Sequence, residues 1–524
     1  MTKRHRQRGT RLPAATLAPI PILVLILVLI LTAGLALPAL AQEEDHSGEN
    51  AARGIYPSYA EVTGAPFNGW ITLGGVLSES INYDQEGLGL AFTGEDLTAG
   101  FEFLLVNDKK YTPSEQHMRG RYFDLRDGRV AWTPGNLSLT AGRLQHRDEV
   151  ESPYSVFISS AAPSTTVLDL RYDNGFFFYD TRWIELNRQS SLYRREVPVL
   201  DENGDATGDY STEPLDRGAN YKAYGLDFGN LRLGIQESVV YLNSTFYPEY
   251  FLSPLPMYFT QLVNSTAGKP WTQTANENSM IGIFAEYERD RLYSYGQFLI
   301  DDWNEMGIDW LAPGEWNNPA KFAWSLGGSL ETGVGTFGLH TAGASKYTFE
   351  PTYASEDDFN RYPYSYTYYP VTEYRLRDGT AKAILPEDNY IGYKYGENNI
   401  ALQAEYAHGT NGFDYAATAE YTLSGSKSPA NPWHELDWHQ GEGTKFFDDP
   451  RLEQRLEVGS QISRSFGNFL LTGAASLGGV WNELQLEEVP GAPEESKIFK
   501  PSENDRFLWE LSLELRYVFG FRRR

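Results

Sequence analysis

Hydrophobic and polar residues alternate along the C-terminal segment WELSLELRYVFGF. One face carries Trp509, Leu511, Leu513, Leu515, Tyr517, Phe519 and Phe521, and the other carries Glu510, Ser512, Glu514, Arg516, Val518 and Gly520. A period of two over thirteen residues predicts a β-strand with one apolar and one mostly polar face. Ordinary strands have about five or six residues. The greater length, with aromatic residues near both ends, favours a tilted strand that crosses a bilayer.

The same alternation recurs in pairs of segments separated by short turns rich in Gly and Asn. Such turns are predicted at 134–136, 228–230, 333–335, 409–412 and 466–468, and each is typical of a β-hairpin. Longer polar or Pro-rich stretches at 188–218, 247–276, 350–389, 427–449 and 485–505 are predicted as loops between hairpins. Short turns on one side and long loops on the other are typical of outer-membrane barrels.

We therefore predict an all-β fold, a transmembrane antiparallel outer-membrane β-barrel in which residues 67–524 form one domain with long outer loops. A hairpin that spans the bilayer, with its turn and one outer loop, uses about 54 residues, so the chain accommodates roughly 16–18 strands. The alternative is a secreted soluble β-protein, such as a sandwich or a propeller. The long alternating strands and the 34 Tyr residues favour the barrel.

The N-terminal segment indicates export. Five basic residues between Lys3 and Arg11 precede a long apolar run, which ends at Ala39-Leu40-Ala41 before Gln42. This order is typical of a secretory signal peptide with a small-residue cleavage site. We predict a signal peptide at 1–41 and a short periplasmic lead-in at 42–66. The alternative is an uncleaved membrane anchor, because the apolar run is longer than a typical signal core.

Composition narrows the classes of function. Removal of residues 1–41 leaves 39 Lys and Arg against 70 Asp and Glu, a formal charge of −31, which disfavours nucleic acid as a partner. The absence of Cys excludes disulfides and Cys-ligated metal. The segment WHELDWHQ at 433–440 lacks the spacing of a zinc-protease helix. We predict no catalytic residues, no metal, no cofactor and no enzymatic activity; the predicted environment is the lipid of the outer membrane.

Tyrosines are densest in YPYSYTYYPVTEY, residues 362–374. Tyr362, Tyr364, Tyr366 and Tyr368 alternate there and are candidate glycan-binding residues. A Tyr ring offers a flat apolar face and a hydrogen-bonding hydroxyl at low entropic cost, which suits sugar rings. The alternative is that some of these rings belong to an aromatic belt at the membrane interface.

Two adjacent carboxylates, Asp301 and Asp302, end a predicted strand that runs from Leu292 to Ile300. We expect the strand to end at the rim of the barrel, where carboxylates stay hydrated. There they are candidates for holding Lys or Arg, a cation or sugar hydroxyls. The alternative is a rim pair with no ligand of its own.

Residues 229–303 resemble the capsule assembly protein Wzi family. The matching stretches are GNLRLGIQESVVY, YFLSPLPMYFTQ and ENSMIGIFAEYERDRLYSYGQFLIDDW, in that order. The residues that match the family pattern are Glu237, Pro254, Leu255, Asn278, Gly282, Asp301 and Asp302. Ser253 stands where the family usually has Asn, and Phe284 where it often has Asp.

The resemblance implies an outer-membrane barrel of about eighteen strands that acts as a lectin for capsular or other surface polysaccharide. It implies that the chain helps to assemble or retain that glycan at the surface of a diderm bacterium. The alternative function is a porin, a diffusion channel for small solutes, because a barrel of this size can hold a water-filled lumen. We expect a monomer.

Overall fold

The computed structural model describes the chain from Pro66 to Phe521 with several gaps. The described residues are 66–108, 120–159, 161, 163–189, 194–201, 206–214, 216–242, 244–265, 277–302, 320–349, 373–375, 381–383, 391–410, 412–427, 446–488 and 497–521. The predicted signal peptide and all of the predicted lead-in except Pro66 lie outside these residues, so both stay predictions.

Eighteen antiparallel strands form one large sheet. They are β1 (Phe67–Ser78), β2 (Asn82–Thr93), β3 (Leu97–Val106), β4 (Tyr122–Trp132), β5 (Leu137–Leu144), β6 (Thr165–Asp173), β7 (Phe177–Asn187), β10 (Arg217–Asp227), β11 (Leu231–Leu242), β12 (Glu277–Arg289), β13 (Leu292–Asp302), β14 (Lys321–Thr332), β15 (Gly335–Ala344), β18 (Asn399–Thr410), β19 (Phe413–Ser424), β20 (Glu453–Phe466), β21 (Phe469–Trp481) and β24 (Arg506–Phe521). Three small hairpins lie in the connections: β8 (Arg194–Leu200) with β9 (Ala206–Pro214), β16 (Glu373–Arg375) with β17 (Ala381–Ala383), and β22 (Leu484–Glu488) with β23 (Lys497–Pro501).

The sheet closes on itself between its first and last strands. β1 pairs with β24 over its whole length, from Phe67 opposite Phe521 to Ser78 opposite Glu510. Each of the other strands of the sheet pairs with two neighbours. Closure satisfies the backbone N–H and C=O groups of every wall strand, which the bilayer interior requires. The predicted antiparallel barrel of 16–18 strands is confirmed, and the number is 18.

The connections differ at the two ends of the barrel. The predicted hairpin turns are confirmed: β10 ends at Asp227 and β11 begins at Leu231, and β20 ends at Phe466 and β21 begins at Phe469. These turns lie at the end that also holds Phe67 and Phe521. We call it the short-turn end. All the long connections between the described strands leave and re-enter the wall at the opposite, long-loop end, which in outer-membrane barrels faces outside.

Side chains alternate between lipid and lumen along each strand, as the pattern at 509–521 predicts. On β24, Leu511 and Leu513 are exposed on the outer face, whereas Ser512, Glu514 and Arg516 face inward. The outer face carries many other large exposed hydrophobic residues, including Ile71, Leu73, Phe123, Ile283, Leu339 and Leu477. An apolar outer band around a more polar interior defines a barrel of the outer-membrane type.

The long connection after β11 contains two helices, although 247–276 is predicted as a loop. These are α1 (Pro248–Leu252) and α2 (Met257–Ser265). They pack on the outer surface of the barrel, where Thr181 of β7 donates a hydrogen bond to the carbonyl oxygen of Phe251. The two helices leave no clear periodicity in the sequence, because α1 is a single turn and two prolines separate the helices. Among the described residues, no helix is long and apolar enough to cross a membrane.

Candidate functional site

The connection from β5 to β6 turns into the lumen. Residues 145–159, which we call the lumen segment, place Val150, Tyr154 and Phe157 entirely out of solvent. They belong to one apolar cluster with inward-facing side chains of the surrounding wall. These include Val167, Ile184, Ala219, Met280, Leu299 and Ala401. Apolar wall side chains would be unfavourable in a water-filled lumen. Packing against the lumen segment buries them, and each Å² of apolar surface buried stabilises the fold by about 25 cal/mol.

Glu149 anchors the tip of the lumen segment. Its carboxylate accepts a hydrogen bond from Nη1 of Arg171 at 2.7 Å and another from Arg232. Arg232 also binds Glu286 at 3.0 Å. Burial alone would raise the pKa of Glu149, but the two guanidinium groups outweigh it and hold that pKa well below its usual range. Arg171 and Arg232 lie beside short turns, so the segment descends from the long-loop end almost to the short-turn end.

Arg182 of β7 holds the neck of the lumen segment. Its guanidinium binds Asp169 at 2.6 Å and Asp180 at 3.0 Å, and it donates to the carbonyl oxygen of Arg147 at 2.7 Å. The ring of His146 also contacts it at 3.2 Å. Burial, followed by the neighbouring positive charge, lowers the pKa of His146, which keeps the ring neutral near pH 7.

Asp148 closes the lumen segment on itself. Its carboxylate accepts hydrogen bonds from the backbone N–H of Val150 at 3.3 Å and of Phe157 at 3.2 Å. The two amides are far apart in the segment, so one side chain fixes the shape of the intervening loop. Burial raises the pKa of Asp148 to about 6, and these hydrogen bonds oppose the rise.

The lumen segment reaches the opposite wall. The hydroxyl of Tyr154 donates to Glu420 of β19 at 2.6 Å, and Ser152 binds Tyr295 of β13 at 2.7 Å. Around the closed sheet β19 lies ten strands from β5 in one direction and eight in the other. The contact between Tyr154 and Glu420 therefore bridges nearly opposite sides of the barrel and divides the lumen.

A second inward connection meets the first at this bridge. Residues 391–398 precede β18, and the rings of Tyr393 and Tyr395 lie 6.2 and 6.4 Å from that of Tyr154. Lys394 forms an ion pair with Glu420 at 3.0 Å. The N–H of Gly392 donates to the carbonyl oxygen of Phe157 at 3.2 Å. Two separate loops thus interlock in the middle of the lumen.

The other half of the lumen remains accessible to water. Along β20 the inward side chains of Arg455 and Glu457 pair with each other and are 29% and 31% exposed. On β24, Glu514 pairs with Arg516 in the same way. Within the described part of β20 and β21, only Val480 is buried. The interior is therefore asymmetric, with one packed half and one hydrated half.

The structure gives Asp301 a buried role at the rim. Its carboxylate pairs with Lys321 at 3.4 Å, accepts from Asn278 at 3.1 Å, and accepts the N–H of Phe349 at 2.9 Å. Its side chain is fully excluded from solvent, so the expectation of a hydrated carboxylate is wrong for Asp301. The Lys partner is one of the predicted options. Asp302 pairs with Lys321 across the strand ladder, and its side chain lies outside the described residues.

The residues that carry the family resemblance fall into three places, and the rim around Asp301, with Asn278 and Asp302, is one of them. Gly282 faces the lumen, and a Cβ there would lie 2.9 Å from the ring of Phe157 and 2.0 Å from the carbonyl oxygen of Phe298. Gly282 therefore makes room for the lumen segment. Glu237, Pro254 and Leu255 lie on the outer surface of the barrel, where the exterior helices pack. The candidate glycan-binding residues Tyr362, Tyr364, Tyr366 and Tyr368 lie outside the described residues.

The ionic anchor of the lumen segment could not be recognised from the sequence. Arg171 and Arg232 occupy inward positions of strands in a chain with 70 acidic residues. An Arg in such a position requires a carboxylate partner. The segment HRDEVESPYS at 146–155 supplies one, but nothing local distinguishes Glu149 from the many other acids.

Comparison with known proteins gives likeness of fold only. No family model matches the chain, and no curated protein matches it. Escherichia coli Wzi, described as an outer membrane protein involved in group 1 capsule assembly and a carbohydrate binding β-barrel, is 11% identical over 87% of this chain and 85% of that one, with a TM-score of 0.47. Pseudomonas aeruginosa OprD is 10% identical over 87% and 95%, with a TM-score of 0.38. Pseudomonas aeruginosa OccD3 is 12% identical over 93% and 98%, with a TM-score of 0.40. These values establish neither a family nor a function.

Replacement of Glu149 by Gln is expected to loosen the lumen segment. The change removes the charge between Arg171 and Arg232 and keeps the side-chain shape. Breaking a buried ion pair costs about 3–5 kcal/mol, so amide hydrogen exchange in 145–159 should rise by about a hundredfold or more. Glu151→Gln is the matched control, because Glu151 lies two residues away with its side chain 73% exposed. Equal exchange in the two variants would contradict the anchoring role.

The stability of the lumen segment is expected to depend on Asp148 between pH 4 and 6. The pKa of Asp148 is raised by folding, so its contribution is fully present below about pH 4 and is lost as the pH rises through about 6. The loss amounts to about 3 kcal/mol. His146 acts in the opposite direction, because its pKa is lowered. Hydrogen exchange of wild type and Asp148→Asn, compared at each pH, isolates the Asp148 contribution; a pH-independent difference would contradict it.

Proposed function

We propose that this chain is a non-enzymatic outer-membrane barrel that binds capsular or other surface polysaccharide and helps to assemble or retain it at the cell surface. The observation that carries the proposal is the interlocked interior, in which Tyr154, Tyr393 and Glu420 join opposite walls. A lumen divided in this way disfavours free diffusion and leaves the long-loop end as the place for binding. The resemblance of residues 229–303 to the Wzi family supports the same function.

The rim beside β13 supports the base of the Tyr-rich connection. Tyr347 and Phe349 have φ values of 69° and 77°, which side-chain-bearing residues rarely adopt. The N–H of Tyr347 is held by the carboxylate of Glu397, and that of Phe349 by Asp301. Such conformations persist where surrounding contacts enforce them. Asp301 thus holds the backbone at Phe349, which precedes the Tyr-rich connection in the sequence.

Glycan contacts are proposed for Tyr362, Tyr364, Tyr366, Tyr368 and Asp302, with Asp301 in a positioning role. Aromatic rings bind the C–H faces of sugars, and hydroxyl and carboxylate groups bind the edges. A repeating polysaccharide offers the same unit many times. Many shallow contacts therefore accumulate into stable retention through effective concentration.

A channel is the second candidate function, and the hydrated half of the lumen favours it. Glu457, Glu510 and Glu514 face this half, against Arg455 and Arg516. An acidic wall raises the local concentration of cations. A continuous aqueous path along β20, β21 and β24 would conduct small cations past the packed half.

Tyrosine replacement tests the binding site. The triple variant Tyr364→Ala, Tyr366→Ala and Tyr368→Ala is expected to weaken co-sedimentation with polysaccharide extracted from the host's own surface by ~10-fold or more. Each ring contact is worth about 0.5–1.5 kcal/mol. Tyr172→Ala is the control, because Tyr172 is an exposed, outward-facing tyrosine beside a short turn. Unchanged binding by the triple variant would remove residues 362–368 from the site, and no binding by folded wild type would refute the proposed function.

Single-channel recording separates the two functions. The purified protein in a planar bilayer is expected to show no steady conductance, because two inward connections interlock in the lumen. Steady cation-selective openings would instead place the channel function first. In that case Glu457→Gln and Glu514→Gln should reduce cation selectivity, whereas Glu249→Gln, on the exterior helix α1, should leave it unchanged.

A further inference from the structure

Residues 244–265, which we call the exterior segment, cover the outward faces of β7, β10, β11 and β12. The face is identified by alternation: Leu233 and Ile283 are exposed to lipid near the short-turn end of β11 and β12. Glu237 has the same parity as Leu233 on β11, and Ser279 has the same parity as Ile283 on β12. The exterior segment therefore lies on the side of the wall that faces the membrane.

The covered part of the wall contains a buried charged pair beside the apolar Val239 and Tyr241. Lys222 and Glu237 pair across the ladder near the middle of β10 and β11, and both are fully buried. Lys222 Nζ donates to the carbonyl oxygens of Ser253 at 2.6 Å and Leu255 at 3.1 Å. Glu237 accepts the N–H of Met257 at 3.2 Å. The turn between α1 and α2 is thus fixed by a buried cation and a buried carboxylate.

The upper part of the exterior segment is held in the same way. Asn264 donates to Glu277 of β12 at 3.3 Å, and the amide of Gln261 donates to its carbonyl oxygen at 2.8 Å. Tyr250 hydrogen-bonds the Glu277 carboxylate and stacks on Tyr241 with ring centroids 5.9 Å apart. These contacts satisfy polar groups that the strands turn toward the membrane.

A glycine permits the close approach of the segment to the wall. Gly218 faces outward on β10, and a Cβ there would lie 2.3 Å from the carbonyl oxygen of Thr245 and 2.6 Å from the ring of Tyr241. Any side chain would displace the start of the exterior segment. Trp183 of β7 reinforces this end, because its indole N–H donates to the same carbonyl oxygen.

The outer surface of the exterior segment is apolar. Its large hydrophobic residues are 37% to 71% exposed; they are Phe246, Leu252, Leu255, Tyr258, Phe259, Leu262 and Val263. No charged residue occurs between Glu249 and Lys269. An exposed apolar surface of this size on a soluble loop would favour aggregation.

We propose that the exterior segment is embedded in the apolar layer of the outer membrane and binds lipid acyl chains through this surface. The surface continues the lipid-facing band of Leu226, Leu233 and Ile283, which lies below it on the same strands. Charged side chains that face lipid at mid-barrel are destabilising. The segment hides Lys222 and Glu237 and presents hydrocarbon in their place.

Depth measurement tests this placement independently of the proposed function. The chain has no Cys, so nitroxide labels can be attached singly at Phe259→Cys, Val263→Cys and Leu252→Cys after reconstitution in phosphatidylcholine vesicles. Ile283→Cys, on the exposed wall, is the lipid reference. Asp290→Cys, in a short turn with its side chain 86% exposed, is the water reference.

The three labels are expected to resemble Ile283→Cys. At each of them the ratio of relaxation by oxygen to relaxation by a water-soluble nickel complex should be ~10-fold higher than at Asp290→Cys. Nickel accessibility equal to that at Asp290→Cys would place the segment in water and overturn the proposal. Spin–spin broadening that persists on dilution with lipid would identify a second copy of the chain as the occupant and also overturn it. Three positions keep the test decisive if one variant fails to fold.

Discussion

The bilayer demands that no polar group of the wall meet hydrocarbon unpaired, and the rest of the structure depends on this demand. For the backbone, the demand is met where β1 pairs with β24 along its full length. For side chains it separates the two faces of each strand, with Leu511 and Leu513 outside and Glu514 and Arg516 inside. Lys222 and Glu237 are charged although they face outward, and the exterior segment covers both of them.

The charged wall side chains that face the lumen determine which loop fills it. Arg171, Arg182 and Arg232 are all buried on the wall, and each requires carboxylates. Asp169, Asp180 and Glu286 come from neighbouring strands, but Glu149 comes from a loop. The ion pairs therefore draw the lumen segment deep into the barrel, and the apolar residues that follow Glu149 complete a core. The same logic leaves the half beside β20 hydrated, because Arg455 and Glu457 satisfy each other without a loop.

The wall could be predicted from the sequence because it follows from local periodicity. The alternation of apolar and polar residues predicted β24, and the Gly-Asn turns at 228–230 and 466–468 predicted two hairpins of the wall. The interior could not be predicted in this way. The contact of Tyr154 with Glu420 joins residues 266 positions apart, and no local pattern encodes it. Asp301 shows the same limit, since its position at a strand end was visible but its enclosure by Asn278, Lys321 and Phe349 was not. The exterior helices could not be recognised because α1 is a single turn and two prolines interrupt the pattern, and the polar side chains that hold them lie on distant strands.

The span between Tyr154 and Glu420 has a consequence for how the chain folds. The lumen segment follows the fifth strand of the wall, whereas Glu420 lies on the fifteenth. Loop closure over such a distance must be entropically compensated before the contact contributes, and chains with distant contacts fold slowly. The apolar side chains of Val150 and Phe157 in the lumen segment therefore stay unpacked until most of the later strands have formed. Until then these core residues stay exposed, and exposed apolar surface in an incompletely folded chain promotes aggregation.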